Sequence, residues 1–502
     1  MGTDRFARCT VRALAVMLSL TALACGGSAG DPPAADGGGG GGDGGPADST
    51  CETRGGTRLR DVVRHGSDGS TEHMHFQDSE LETACEFAPA SDGVVRCLPL
   101  QGGRFRTATT VYTDSDCTDA VAQISTDQAA GDMMDLQHSD GCLNPASEYH
   151  EIGADAGITE GQSTWVLLPD AGCTAAGPAR LDAYDYRAIG SAISLSDFVE
   201  ASETLIGDGR LQVPRLDGAD GSSECRATRP LRDQDGAACD VAIADDGVRR
   251  CMPLGRGPVV DGIFSDVDCT TPVHAGLINQ TCEADASAIR EYVDHACGTV
   301  LRVRALGTRM DHVYLEDPGE CGPADSEMEF FDIGEPIAPD RFAALEVSEA
   351  AAGDRLLRLD LTGEGARFPS GFWRDPDMGA DCRFQPAADG ETRCLPTATL
   401  ERPQALVSTV SLVTFTDADC TQPIMVATLD QTSACGGAAP TFAVLPFSYL
   451  EDVPAGSVFP LGSLITDPIY RMAGTCQLYS PGIDLYAVGE AIAPASFVSA
   501  ID

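Results

Sequence analysis

The chain has 502 residues and a formal net charge of −44, with 77 Asp and Glu against 33 basic residues, every one of them Arg. Without lysine it has no Walker phosphate loop, no Schiff-base lysine and no Ser-Lys nucleophile pair. An acidic field of this size repels phosphate backbones and anionic headgroups, so nucleic acid is excluded as a partner, while cationic ligands and divalent ions are favoured.

At the N-terminus, Arg5, Arg8 and Arg12 precede an apolar run from Ala13 to Ala24. Twelve residues reach only about 18 Å as a helix, short of a bilayer, so residues 1–24 read as an export signal. Ala22-Leu23-Ala24-Cys25 resembles a bacterial lipobox with Ala in place of the usual Leu at the third position before Cys. That resemblance implies lipid attachment at Cys25, and Gly26 after it fits outer-membrane sorting. The same residues also read as an Ala-x-Ala site for ordinary secretion. Residues 25–50, with the run Gly37 to Gly42, then form a tether that builds no core and spans about 25 to 30 Å. No cofactor is implied, and the membrane is a partner only through the lipid.

The remainder repeats itself three times, over 51–204, 205–350 and 351–502. Each copy starts near an Arg-Leu pair (Arg58-Leu59, Arg210-Leu211, Arg355-Leu356) and closes on Gly-x7-Phe at Phe198, Phe342 and Phe497. Cys85 to Pro99 returns as Cys239 to Pro253 and as Cys382 to Pro396, with Asp-Gly, Arg and Cys-x-Pro at matching offsets. The Asp92-Gly93, Asp246-Gly247 and Asp389-Gly390 steps predict hairpin turns, and Leu301 to Ala305 alternates with period two as a half-buried strand. Helical periodicity is confined to stretches such as Ala286 to Ala296 and Asp340 to Ala351. The expected fold is all-β: three tandem disulfide-rich hairpin repeats forming small sandwich-like or barrel-like domains, or alternatively one closed propeller.

Five cysteines recur per copy: 85, 97, 117, 142 and 173, then 239, 251, 269, 282 and 321, then 382, 394, 420, 435 and 476. Cys51, Cys225 and Cys297 are unique. The spacing predicts pairing of the first cysteine with the second (Cys85 with Cys97, Cys239 with Cys251, Cys382 with Cys394). It also predicts the third with the fourth (Cys117 with Cys142, Cys269 with Cys282, Cys420 with Cys435). Cys297 with Cys321 and Cys51 with Cys173 complete that scheme. The copies hold six, seven and five cysteines, so full oxidation requires a disulfide between copies, most simply from the second to the third. A two-residue turn at Asp92-Gly93 would set Cys97 opposite Ala88, so the Cys85 pair needs a longer turn or a bulge. Cys-x2-Cys is absent, which argues against zinc.

Asp114-x-Asp116-Cys117-Thr118 recurs at Asp266 and Asp417 and is the one recurring acidic pair. It either caps a tight turn or offers oxygens to calcium, although Asp119, Thr271 and Gln422 stand where an EF-hand requires Gly. Arg96, Arg250 and Arg393 suit an ion pair with the turn Asp, or a clamp on a substrate carboxylate. His73 and His75 would share a strand face as a transition-metal pair. His150-Glu151 begins like a zinc-protease signature, yet Ala154 removes the second ligand, and no Gly-x-Ser-x-Gly elbow occurs.

The lipobox-like Cys25, the Gly/Asp tether and the repeats ending Cys-Leu-Pro, with later Asp-x-Asp-Cys-Thr and Gly-Glu-x-Ile-Ala-Pro, resemble a class of uncharacterised exported lipoproteins of GC-rich bacteria. The resemblance implies location at the outer membrane or cell surface and brings no activity or site. The expected function is a tethered binding or structural module for a protein or glycan ligand, with no catalytic residue assigned. The alternative is an extracellular hydrolase that uses two of the many carboxylates.

Overall fold

The computed structural model describes residues 51–501 except 101–103, 129–130, 139–145, 169–171, 208, 226–230, 234–235, 254–258, 279–287, 296–297, 311, 318–319, 324–328, 398–406, 409–413, 430–440, 446–453, 474 and 480–484. The protein is all-β. In the first copy the strands are β1 (Leu59–Gly66), β2 (Thr71–Asp78), β3 (Thr83–Pro89), β4 (Val95–Pro99), β5 (Phe105–Tyr112), β6 (Ala120–Ser125) and β7 (Met133–His138). They are followed by β8 (Ala146–Asp155), β9 (Ser163–Leu168), β10 (Gly172–Pro178), β11 (Tyr184–Ala192) and β12 (Ala201–Ile206). Strands β1 to β4 form one antiparallel sheet. Strands β5, β6, β11, β8 and β7 close into a barrel, because β7 returns to pair in parallel with the first half of β5. The hairpin β9–β10 hangs from the far end of β5, and the second copy repeats the whole strand order.

The first sheet of each copy borrows a strand from the copy before it. Strand β12 pairs with Leu211–Gly218 and Glu346–Ala351 pairs with Leu357–Gly363. The last strand of the chain, Ala500–Ile501, pairs with His65 and Gly66 at the end of β1. The three sheets therefore form a closed ring. Single-turn 3-10 helices at Leu195–Asp197, Pro339–Arg341 and Pro494–Ser496 lead into the closing Phe of each copy. The stretches with helical periodicity are strands instead: Ala288–His295 pairs along its whole length with Gly298–Arg309, and Glu346–Ala351 is the borrowed strand. Tertiary pairing overrides a short helical pattern here, since a helix of about three turns is only marginal in water.

The hairpin turn is longer than the Asp-Gly dipeptide alone suggests. Ala90 N–H donates to Val94 O and Gly93 N–H to Ala90 O, both at 2.9 Å, with Gly93 at a φ of 79°. A three-residue connection sets Cys97 opposite Phe87, and Cys85 opposite Pro99. The Cys85–Cys97 disulfide is thus diagonal across the pair, with Cα atoms 5.3 Å apart, and the second and third copies use the same register. Its sulfurs lie in a core with Leu59, Phe76 and Phe87, and Leu216 of the second copy joins that core.

Each junction of the ring uses a turn of one copy against the Arg-Leu start of another. The Asp220 carboxylate accepts the N–H of Arg58 at 3.0 Å and of Leu59 at 2.7 Å. Asp68 accepts Arg355 at 3.3 Å and Leu356 at 2.7 Å. Glu364 holds the guanidinium of Arg210, with Nε at 2.7 Å, and its backbone runs so close to Gly209 that a Cβ there would sit 1.8 Å from the Glu364 carbonyl oxygen. Arg64 of the first copy lies 5.9 Å over the ring of Phe384 from the third.

Burial pushes the Asp68 and Asp220 carboxyls up, but the hydroxyls of Ser70 and Ser222 and the N–H donors of Leu356 and Leu59 outweigh it and hold both below 3.8. A depressed folded pKa contributes stability that is whole above the unfolded value and lost as pH falls through the folded one. Asp220→Ala is expected to cost about 1.5–3 kcal/mol, the range for hydrogen bonds to a charged acceptor. It should also flatten the acid limb of the stability curve below pH 3.8. Urea melts of the variant and wild type across that range check both, and a parallel acid limb would exclude the ring contact as its source.

Candidate functional site: the stapled loop and the outer hairpin

The recurring acidic loop begins where β5 ends. Asp114 accepts the Thr118 hydroxyl at 2.6 Å and the N–H groups of Thr118 and Asp119 at 3.0 and 2.9 Å. Asp266 and Asp417 do the same with Thr270 and Thr271, and with Thr421 and Gln422. These donors hold all three carboxyls below the usual range: the Thr118 hydroxyl leads for Asp114, the Thr421 hydroxyl for Asp417, and the Thr270 N–H for Asp266, which falls to about 2. The first Asp of each pair is consumed in capping its turn. No group of three His, Cys, Asp or Glu suited to a metal ion occurs among the described residues. The second Asp of each pair, at 116, 268 and 419, is exposed in every copy.

The next residue, Cys117, Cys269 or Cys420, sits at a φ of 51°, 50° and 52°. A non-glycine residue in this left-handed region is uncommon. Each of these cysteines bonds the outer hairpin: Cys117 pairs with Cys173, Cys269 with Cys321 and Cys420 with Cys476. The expected pairing of third with fourth cysteine is thus corrected to third with fifth. Cys297 is not the partner of Cys321, nor Cys51 of Cys173. Cys51 joins Cys225, so the bond between copies that the described residues show links the first and second, where the second and third were expected. Cys142, Cys282, Cys297 and Cys435, like Cys25, lie outside the described residues.

The stapled hairpin carries a pattern that sequence reasoning missed. Trp165 on β9 is directly opposite Tyr112 on β5. In the second copy Tyr314 is opposite Phe264, and in the third Tyr470 is opposite Phe415. On the far side of each hairpin, Ala175, Pro323 and Leu478 continue the row. Paired residues on antiparallel strands share a face, and neighbours along a strand alternate. The residues just before the aromatics, Thr164, Val313 and Ile469, are 4%, 8% and 5% exposed and face inward. Trp165, Tyr314 and Tyr470 therefore face outward, half-buried, and none joins a core cluster. Around them Leu167, Met472 and Leu478 are 58%, 49% and 65% exposed. The signal was an aromatic at a fixed strand register, but unequal loop lengths between the fourth and fifth cysteines hid the equivalence.

The other singled-out residues are engaged in structure. Arg96, Arg250 and Arg393 pair with Asp92, Asp246 and Asp389 at 2.6 to 2.7 Å. Arg250 also donates to the carbonyl of Phe342 at 2.8 Å, and Arg393 to that of Phe497 at 3.4 Å, so these arginines tie hairpin turn to closing segment. His73 and His75 do not stand as a simple pair, because the β1–β2 register shifts between them; His73 Nδ1 lies 2.5 Å from Asp61.

A cleft of ≈ 460 Å³ opens beside the first barrel, lined by Arg106, Tyr184, Tyr186, Arg187, Asp155 and Asp185 among others. Asp185 is already engaged by Arg187 at 2.8 Å.

The fold and its repeated outer face define a threefold, disulfide-stapled all-β protein closed end to end. The seven disulfides among the described residues fit an exported protein, and no helix among those residues is long and apolar enough to cross a membrane. The chain belongs to a family of unknown function, DUF7481, whose profile matches residues 39–497. No curated protein and no solved structure matches it.

Proposed function

We propose that the protein is a cell-envelope lipoprotein, held to the outer membrane or cell surface by an acylated Cys25, that works by binding and not by catalysis. One observation carries the reading. Of the polar residues that recur in all three copies, the first Asp of the loop and the Arg before the second cysteine are spent on turns and closing contacts, whereas the hairpin aromatics Trp165, Tyr314 and Tyr470 recur on the outer face and join no core cluster. Folding explains the former and leaves the latter for a partner. The Gly/Asp tether would hold such a face off the membrane, and three copies raise avidity through local concentration.

Radiolabelled palmitate is expected to label the wild type and not Cys25→Ala, and the variant should leave the membrane fraction. The mature domain, residues 51–502, should be retained on isolated envelopes without releasing soluble product from them. An unlabelled wild type would remove the anchor, and steady product release would replace the binder with an enzyme.

A further inference from the structure

We infer that the three outward rows, centred on Trp165, Tyr314 and Tyr470, form a repeated glycan-binding face whose occupant is a neutral polysaccharide. This rests on the binding-module reading above. The row in each copy runs aromatic, aromatic, apolar across three paired strands, with the hairpin ring half-exposed in all three and the first ring buried in the third copy, where Phe415 is 8% exposed. A half-exposed ring set in such a row presents a flat apolar platform, the shape of the C–H face of a pyranose.

The acidic loop stands at the end of that row. Thr113, next to Tyr112, donates its N–H to Asp119 O at 3.0 Å, and Cys117 is bonded to Cys173 on the same hairpin. The loop therefore cannot drift from the platform. It brings the exposed carboxylates of Asp116, Asp268 and Asp419, which accept hydrogen bonds and donate none. A polyhydroxylated ligand supplies the matching donors. The formal charge of −44 selects within that class, since a uronate, sulfate or phosphate polymer meets the same repulsion as nucleic acid. A polymer of repeating units, moreover, is the ligand for which three copies of one modest site add up.

The test incubates the mature domain with insoluble cellulose, chitin and β-1,3-glucan, with alginate as polyanion and polylysine-coated beads as polycation, at low and high salt. Retention on at least one neutral polymer, insensitive to salt, is expected. Trp165→Ala should weaken it roughly tenfold, the loss seen when an aromatic anchor is truncated. The triple variant Trp165→Ala, Tyr314→Ala, Tyr470→Ala should weaken it by about 10²-fold or more, because avidity is lost with the sites. Since these rings support no core cluster, the melting temperature should hold, and Trp165→Phe should restore binding in the single variant.

Equal retention of wild type and triple variant on the neutral polymer would overturn the proposal. So would salt-sensitive binding to the polycation alone. If wild type binds envelopes and no neutral polymer, while the triple variant loses the envelopes, the binding module stands and the ligand class falls. If wild type binds neither, both fall together.

Discussion

Truncation of the chain after Ala493 is expected to open the ring and lower the melting temperature by several degrees, with no change within the hairpins themselves. The deleted segment ends in Ala500–Ile501, which pairs with β1, and it carries Phe497 and Val498, 3% and 4% exposed. Val498 belongs to the core of the third copy with Trp373, Phe384 and the Cys382–Cys394 pair, while Phe497 packs with Leu395 and Val458. Burying two such side chains contributes about 1.5–3 kcal/mol each, so their removal costs about 3–6 kcal/mol before the lost pairing is counted. The cut also removes the bond from Cys394 N–H to Val498 O at 2.9 Å and that from Ser67 N–H to Ser499 O at 2.8 Å, one contact on each side of the junction. Thermal unfolding with limited proteolysis checks the result. Cleavage should appear first in the first and third copies, and an unchanged melting temperature would mean that the copies stand alone.

Much of the local chemistry was legible in the sequence, and much of the global arrangement was not. The hairpin stapled by Cys85 and Cys97 can be read directly, because its twelve-residue spacing and Asp-Gly step are local. Its register could not be, since one further residue in the turn shifts Cys97 from Ala88 to Phe87. The capping role of Asp114 could be read as well, because the Thr that bonds it lies four residues away. The partner of Cys117 lies 56 residues on, beyond several barrel strands, and proximity along the chain pointed to the wrong cysteine.

The closing of the ring depends on residues still further apart. His65 pairs with Ile501 and Asp68 with the backbone of Leu356, contacts that no periodicity or spacing announces. The recurring Arg-Leu and Gly-x7-Phe landmarks mark where these contacts fall. Arg58 and Arg355 reach the carbonyls of Asp197 and Ser496 beside the closing Phe residues, at 2.6 and 3.0 Å. The two landmarks are repeated because they meet, and each junction needs both. The hairpin aromatics Trp165, Tyr314 and Tyr470 show the converse case, since they recur at one register and join no core cluster, which is what the proposed binding role draws on.

Of the seven disulfides among the described residues, the one between Cys51 and Cys225 should contribute the largest increment of stability. It closes 174 residues and joins the segment before β1 to the second copy, where Cys51 is 4% exposed and lies in a core with Leu211, Leu231 and Phe368. By the chain-entropy relation a loop of this size is worth about 5 kcal/mol, against about 3 kcal/mol for the twelve-residue loops. The Cys85–Cys97 and Cys117–Cys173 bonds lie inside the loop and shorten it, but halving a loop changes its closure cost by only about 0.6 kcal/mol. Cys51→Ser with Cys225→Ser is therefore expected to lose about 4–5 kcal/mol, plus the cost of two hydroxyls placed in an apolar site. The Cys51→Ala, Cys225→Ala pair separates these effects, since it removes the cross-link without adding polar atoms and should recover part of the loss. Backbone contacts from Arg54 N–H to Ser223 O and back, both at 2.9 Å, remain in either variant to hold the segment in place. Denaturant melts of the two variants beside wild type measure the difference. A loss below that of Cys85→Ala with Cys97→Ala would show that the unfolded chain is already confined across this junction, and that the ring contacts, not the sulfur bond, keep the first two copies together.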